Sequence, residues 1–427
     1  MLGLAAASIR FRAPAFLAAF ASMLLGAVIV MTFASLIDVS RGSGISAGDQ
    51  ETLATMAAVV GGCGLIIVLF SVATTMTLAV RQRGTEIALL KSVGATPAQV
   101  RRMIGGEALA SAELVADGTP YRFGVFALGI GIGVTVMAST AAAWLTARRT
   151  TRMGIAESLL SASQEQPRMR PGRVLIGCIF LAAGVSAATV SALLLDKAEI
   201  STLQLVAGEA SLLSAVGLAL LSPGLVRTCS AAINRALRPL LGISGYLSAL
   251  NVQRRPHQMS GALIPIILLT AVATGTLYTQ SIDDSIADAG GPTATDAKGV
   301  EALNYTVVGM LCVFAAIMLV NSLIAATTYR RAEFDQYRLL GLTPRQVIHV
   351  VAAEGVAIVV TGLVAGSLAG LLTIVPYNIA RTDTLVPDIG PEIYIATAIL
   401  VVCLTFIATL GATHQALRRP AIQRRPS

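Results

Sequence analysis

The chain is dominated by long apolar runs separated by short polar connections. Nine runs approach the ~20 residues that a helix needs to cross a bilayer: 13–37, 52–80, 124–147, 174–195, 203–226, 260–279, 303–327, 349–376 and 392–413. Runs this long and continuous predict membrane-spanning helices. Glycine, alanine, serine and threonine are common inside them, as expected where helices pack closely in lipid. The first run, from Ala13 to Ile37, exceeds the ~7–15 residues of a signal-peptide core and reads as a span. The expected fold is an all-α polytopic membrane protein.

Composition agrees with a reading in lipid. Of 427 residues, 55% are apolar and 13% charged, with a mean hydropathy of +0.76. A soluble chain carries about 25% charged residues, so this one cannot cover an aqueous surface of its size. Most of the 31 basic residues fall in six segments: 1–12, 81–106, 148–173, 227–257, 328–348 and the C-terminal tail. The remaining connections are acidic, with Asp283, Asp284, Asp288, Asp296 and Glu301 together. The positive-inside rule places the basic set in the cytoplasm and the acidic set outside, with both termini cytoplasmic. Tyr278, Tyr305, Tyr377 and Tyr394 then fall near outer span ends, as an aromatic belt would. The net charge of +8 is therefore a topology signal. Without a basic–aromatic platform it does not indicate nucleic acid.

Segments 81–106 and 148–173 are both basic, yet only the run 124–147 separates them. Two cytoplasmic loops need an even number of spans between them. An internal repeat bears on this. At a constant offset of 247, Arg83 matches Arg330, Glu86 matches Glu333, Lys91 matches Arg338 and Gly94 matches Gly341. Thr96-Pro97 matches Thr343-Pro344, Gln99-Val100 matches Gln346-Val347, and Glu107 matches Glu354. Arg148-Arg149, after the last run of the first half, corresponds to Arg418-Arg419 at an offset of 270. The first half is thus shorter by about one span. The shortfall falls in 108–123, where a span is missing or the chain makes a re-entrant turn. With that span restored, the plan is four spans, two linker spans and four spans. Ten spans are expected and about nine are visible. The corresponding divisions are 1–155, 156–244 and 245–427. Four is even, so the repeats are parallel.

The repeated motif follows the second span of each half. Ile87, Leu90 and Val93 have helical spacing, and Arg83 stands three residues before Glu86. Gly94 suits a helix C′ position. Thr96 suits an N-cap, Pro97 the first helical position, and Gln99 the third residue of a capping box. Thr343, Pro344 and Gln346 repeat the arrangement. Each half therefore carries a short cytoplasmic helix, a sharp turn and a second helix entering the next span. One copy could be an ordinary surface elbow. Two matched copies favour a docking element used twice.

This motif, E-x-x-x-x-[KR]-x-x-G-x-T-P-x-Q-V after an apolar span, resembles the FtsX-like permease domain of the MacB-type ABC transporters. The resemblance covers roughly 1–155 and 245–425. The two-repeat, ten-span layout is similar to that of the bacitracin-exporter-like permeases. In that family the corresponding cytoplasmic segment is a coupling helix seated on the ATPase. The resemblance implies coupling helices at 82–94 and 329–341, with Arg83, Glu86, Lys91, Gly94, Arg330, Glu333, Arg338 and Gly341 as coupling residues. It implies two copies of a separate ABC ATPase, which carry the ATP and magnesium, and no cofactor on this chain. It also implies an amphipathic substrate such as a peptide, drug or lipid. Two departures stand out: the shortened first repeat, and the absence of an outer loop long enough for the extracytoplasmic domain of many relatives.

No G-x-x-x-x-G-K-[ST] phosphate-binding run occurs, so the chain has no ATP site of that type. The cysteines are scattered singly and His257, His349 and His414 lie far apart, which gives no metal-ligand spacing. Within the spans, Glu209 and Asn321 are the candidate substrate contacts. A carboxylate in lipid invites a functional reading, although snorkelling or local pairing also satisfies it. Asn321 also fits helix–helix hydrogen bonding. Two other functions remain open. A non-transporting transducer would signal to an envelope enzyme or sensor kinase. A secondary transporter would need mid-depth carboxylates or broken helices, of which the sequence shows little.

Overall fold

The computed structural model describes residues 171–194, 200–229, 245–252, 256–289 and 330–417, with single positions at 24–35, 65, 129–140, 169 and 305–327. The chain divides into two compact units, Met1–Gln166 and Pro167–Ser427. The described positions of the first unit are helical, and Ala27, Val30, Met31 and Ala34 are buried. The first-copy elbow and the shortfall at 108–123 lie outside the described residues.

The second unit is built of helices, with no strand among the described residues. They are α1 (Pro171–Leu194), α2 (Ile200–Leu220), α3 (Pro256–Asp288), α4 (Arg331–Leu339), α5 (Pro344–Thr382) and α6 (Glu392–Leu417). Shorter helical stretches cover 222–229, 245–252 and 315–324. The apolar helices α1, α3, α5 and α6 are long enough to cross a membrane. The run expected as one span over 203–226 instead breaks: Val206–Leu220 and Ser222–Cys229 meet at 71°. Pro223 explains the break, because its nitrogen has no proton to give Ala219 and its ring would crowd that carbonyl.

α5 is one 39-residue helix, about 60 Å long and about twice the thickness of a bilayer core. The second elbow helix and the following span are therefore a single rod. α3 lies against α5 along a ladder of glycines. An added Cβ at Gly362, Gly366 or Gly370 would stand 2.4 Å from Ile266, 2.5 Å from Thr270 and 2.5 Å from Thr274 respectively. α1 and α2 pack as closely, with Gly184 against Ser214 and Gly217 against the backbone of Leu181. In lipid, where apolar side chains gain little by leaving the acyl chains, such close approach supplies the dispersion contacts that hold helices together.

α2 also meets α5 through a hydroxyl. Thr373 donates to the Ala207 carbonyl at 2.5 Å and accepts from the Ser211 N–H at 3.1 Å. Those are the two groups that one turn of α2 would join, so α5 is stitched into the backbone ladder of its neighbour.

Candidate functional site

The elbow of the second repeat is fully described. α4 begins after Arg330 and ends at Leu339. Gly341 follows with φ +91°, a left-handed conformation that costs glycine nothing. Its N–H donates to the Arg338 carbonyl at 3.1 Å, and the Leu342 N–H to the Tyr337 carbonyl at 3.0 Å. This pair of bonds is a Schellman motif and satisfies the helix's last carbonyls. Two residues later α5 starts with a capping box. The Thr343 hydroxyl accepts from the Gln346 N–H at 3.3 Å, and the Gln346 side chain accepts from the Thr343 N–H at 2.8 Å. Pro344 takes the first turn, where no N–H is needed. The turn between α4 and α5 is thus closed by its own backbone. Phe334, Val347 and Val351 pack inside the angle, against Tyr337, Leu342, Ala416 and Leu417.

A buried charge cluster grips the other end of α4. Arg330 is 7% exposed and Glu354, in the third turn of α5, is 2% exposed. The guanidinium donates through both terminal nitrogens to the two Glu354 oxygens, Nη2 to Oε1 at 3.0 Å. Paired planes of this kind give the strongest side-chain hydrogen bonds. Asn251, on helix 245–252, donates to Glu354 Oε1 at 2.8 Å, and the Tyr337 hydroxyl donates to Asn251 Oδ1 at 3.2 Å. Arg330 Nε reaches Glu333 at 3.3 Å, and its guanidinium lies 5.5 Å from the Phe334 ring centre. Burial works to lower the proton affinity of Arg330, but the Glu354 charge more than offsets it, so the net shift is upward. The group stays cationic.

Arg330 thus faces inward, between the elbow helix and α5. Glu333 adopts the local i,i+3 pairing with it. Among the described side chains of the elbow, Gln336, Leu339, Leu340, Gly341, Thr343, Pro344 and Arg345 are exposed. Leu339 and Leu340 are 77% and 78% exposed, while Arg338 is half-buried.

A second cluster lies at the opposite end of α5. The Asp283 carboxylate of α3 accepts from the Tyr377 hydroxyl at 2.6–2.7 Å and from Arg381 Nε at 3.1 Å. It also accepts from the Gln204 amide of α2. Leu203, Ala207, Ile282 and Tyr377 form the apolar floor beneath it. Tyr377 is fully buried and Tyr278 nearly so, with its hydroxyl on the Gly390 carbonyl at 3.2 Å. Neither is the belt residue expected from its position. The sequence held one clue to this cluster: Arg381 is a cation in an otherwise acidic connection. Glu209 on α2 and Asn321 on helix 315–324 are both half-buried.

Residues 58–114 and 305–421 match the family described as FtsX-like permease C-terminal. The chain is similar to FtsX-like permeases. Each matched segment contains one copy of the repeated motif, Arg83–Glu107 and Arg330–Glu354. The second runs on through α5 and α6, whereas the first stops at residue 114. A search of curated proteins finds no match. The apolar helices and the FtsX-like match together indicate an integral membrane protein. The match supports the permease component of an ABC-type system, a membrane subunit generally not catalytic itself, with ABC ATPases as partners in general.

Proposed function

We propose that this FtsX-like chain is the permease of an ATP-driven transporter that exports or extracts an amphipathic peptide, drug or lipid across the cytoplasmic membrane. The MacB-type, bacitracin-exporter-like form is the one its two-repeat pattern favours. The elbows at 82–94 and 329–341 face the cytoplasm with both termini, following the basic segments. Each elbow seats one ATPase subunit. Arg83, Glu86, Lys91 and Gly94 serve in the first copy, with Arg330, Glu333, Arg338 and Gly341 in the second. Glu209 and Asn321 are the proposed substrate contacts inside the spans.

The observation that carries this reading is the exposed pair Leu339 and Leu340 at the tip of a rigidly held elbow. Adjacent bare leucines on an elbow that also exposes Arg345 offer both an apolar and a charged group, the usual composition of a protein interface. They also lie outside the angle that Phe334 and Val347 fill, so the fold itself does not need them. The test is purification of the tagged chain from its native membranes, with vanadate-sensitive ATP hydrolysis as the readout. Leu339→Asp with Leu340→Asp is expected to leave the permease intact and remove at least about 90% of that activity, the effect of losing a central hot spot. An unmutated chain that brings down no such ATPase, or a double variant that keeps it, refutes the assignment.

A further inference from the structure

We infer that Arg330 and Glu354 are positioning residues, forming the rigid joint through which movement of the elbow passes into α5, so that the lever of the second repeat is 344–382. The inference rests on the coupling role proposed for the elbow and adds which span receives the movement.

Three observations lead to it. First, α4 is fixed to α5 at two separated points. The Schellman turn and capping box hold its end at 340–343, and the bidentate Arg330–Glu354 pair holds its beginning. Phe334, Val347 and Val351 fill the space between. A helix attached at one end can swing. Attached at both ends around a packed interior, it moves with its partner as one body.

Second, the pair is not what stability alone would select. Two buried charges can be replaced by apolar side chains of similar size with little loss, and sometimes with a gain. A carboxylate in the third turn of a membrane-entering helix is a costly way to fill space. What the pair supplies is directional: a planar fork meets a planar carboxylate in one orientation. Asn251 and Tyr337 then lock that carboxylate from a further helix and from α4 itself. The same two residue types recur in the first repeat. Arg83 and Glu107 are separated by 24 residues, as Arg330 and Glu354 are, although the intervening residues have largely changed.

Third, α5 is continuous from the elbow to the Asp283 cluster, where Tyr377 and Arg381 bind α3 and Gln204 brings in α2. Displacement of the elbow therefore has one helix to travel along, which continues through Pro376, and a polar junction of three helices at its far end. Among the described residues, helix 315–324 and the positions that follow it are joined to the elbow by the backbone bond from the Arg330 N–H to the Thr327 carbonyl.

The test follows amide exchange by mass spectrometry in the native ATPase complex in lipid, comparing the vanadate-trapped and nucleotide-free states. Two forms are examined beside the unmutated chain: Glu354→Gln, and the paired replacement Arg330→Met with Glu354→Met. The second restores an apolar, stable angle without the directional bond. In the unmutated chain, trapping is expected to change exchange in both 331–342 and 344–382. In both variants the elbow response persists while the change near 377–382 shrinks at least about threefold. Thermal stability of the paired replacement stays near the unmutated value, which separates positioning from mere folding. The inference is overturned if either variant transmits the change along 344–382 in full, or if trapping in the unmutated chain alters 303–327 and leaves 344–382 unchanged. Absence of any co-purifying ATPase removes the coupling reading and this inference with it. A bound ATPase whose trapping bypasses α5 removes only the lever.

Discussion

Replacing Gly217 by alanine puts a methyl group where the backbone of α1 already stands. The added Cβ would lie 2.7 Å from Leu181 N, 2.9 Å from the Gly177 carbonyl oxygen and 3.1 Å from Leu181 Cα. All three neighbours are backbone atoms, so no side chain can rotate out of the way. Ordinary contact begins near 3.4 Å, and α1 would have to withdraw by about 0.7 Å to restore it. That withdrawal also loosens Gly184 against Ser214 and Ala210, two turns further along the same seam. Overpacking of this kind costs about 1–3 kcal/mol. Against it stands the better helix propensity of alanine, about 1 kcal/mol. Gly208, on the same helix, has nothing within 4 Å of its added Cβ. Gly208→Ala takes the propensity gain without the clash, so the gain cancels between the two variants. Gly217→Ala should therefore be less stable than Gly208→Ala by about 1–3 kcal/mol. Reversible unfolding of the purified permease by SDS in mixed micelles measures the difference. The packing argument fails if Gly217→Ala matches or exceeds Gly208→Ala in stability.

Tyr377→Phe removes one of the hydrogen bonds to Asp283 without altering the volume of the site, and should cost about 1.5–3 kcal/mol in the same unfolding assay; a neutral result would mean that Gln204 and Arg381 suffice. Thr343→Ala removes the cap of α5 and should cost about 1 kcal/mol, with Thr343→Ser close to the unmutated chain; equal stability of all three forms would show that the box adds nothing once Phe334 and Val347 are packed. Gln336 is exposed on the elbow, so Gln336→Cys should react with a membrane-impermeant maleimide only after the cells are opened; labelling in intact cells would reverse the proposed orientation.

Much of the local architecture could be read from the sequence because it depends on neighbours in the chain. The capping box needs only residues 343–346, and the turn needs only a glycine at 341. Both are present in the structure as the motif implied. The apolar runs 174–195, 260–279, 349–376 and 392–413 likewise marked helices long enough to cross a membrane, since burial of backbone polar groups in lipid leaves helix as the available form. The break after α2 was also legible, in Ser222-Pro223-Gly224, but hydrophobic continuity from 203 to 226 obscured it.

Which face of each helix points inward was decided by tertiary structure. A helix apolar on every side carries no amphipathic stripe to orient it, so tyrosines near span ends read as a belt until Tyr377 proved buried against Asp283. Charges in connecting segments read as surface for the same reason. The sequence shows that Arg330 stands three residues before Glu333, and that pairing exists. It does not show that Glu354 and Asn251 meet at the same point, because that depends on the angle between α4 and α5 and on a helix some eighty residues upstream. Local bonds are set by spacing along the chain; the clamp that joins elbow to span is set by how the helices pack.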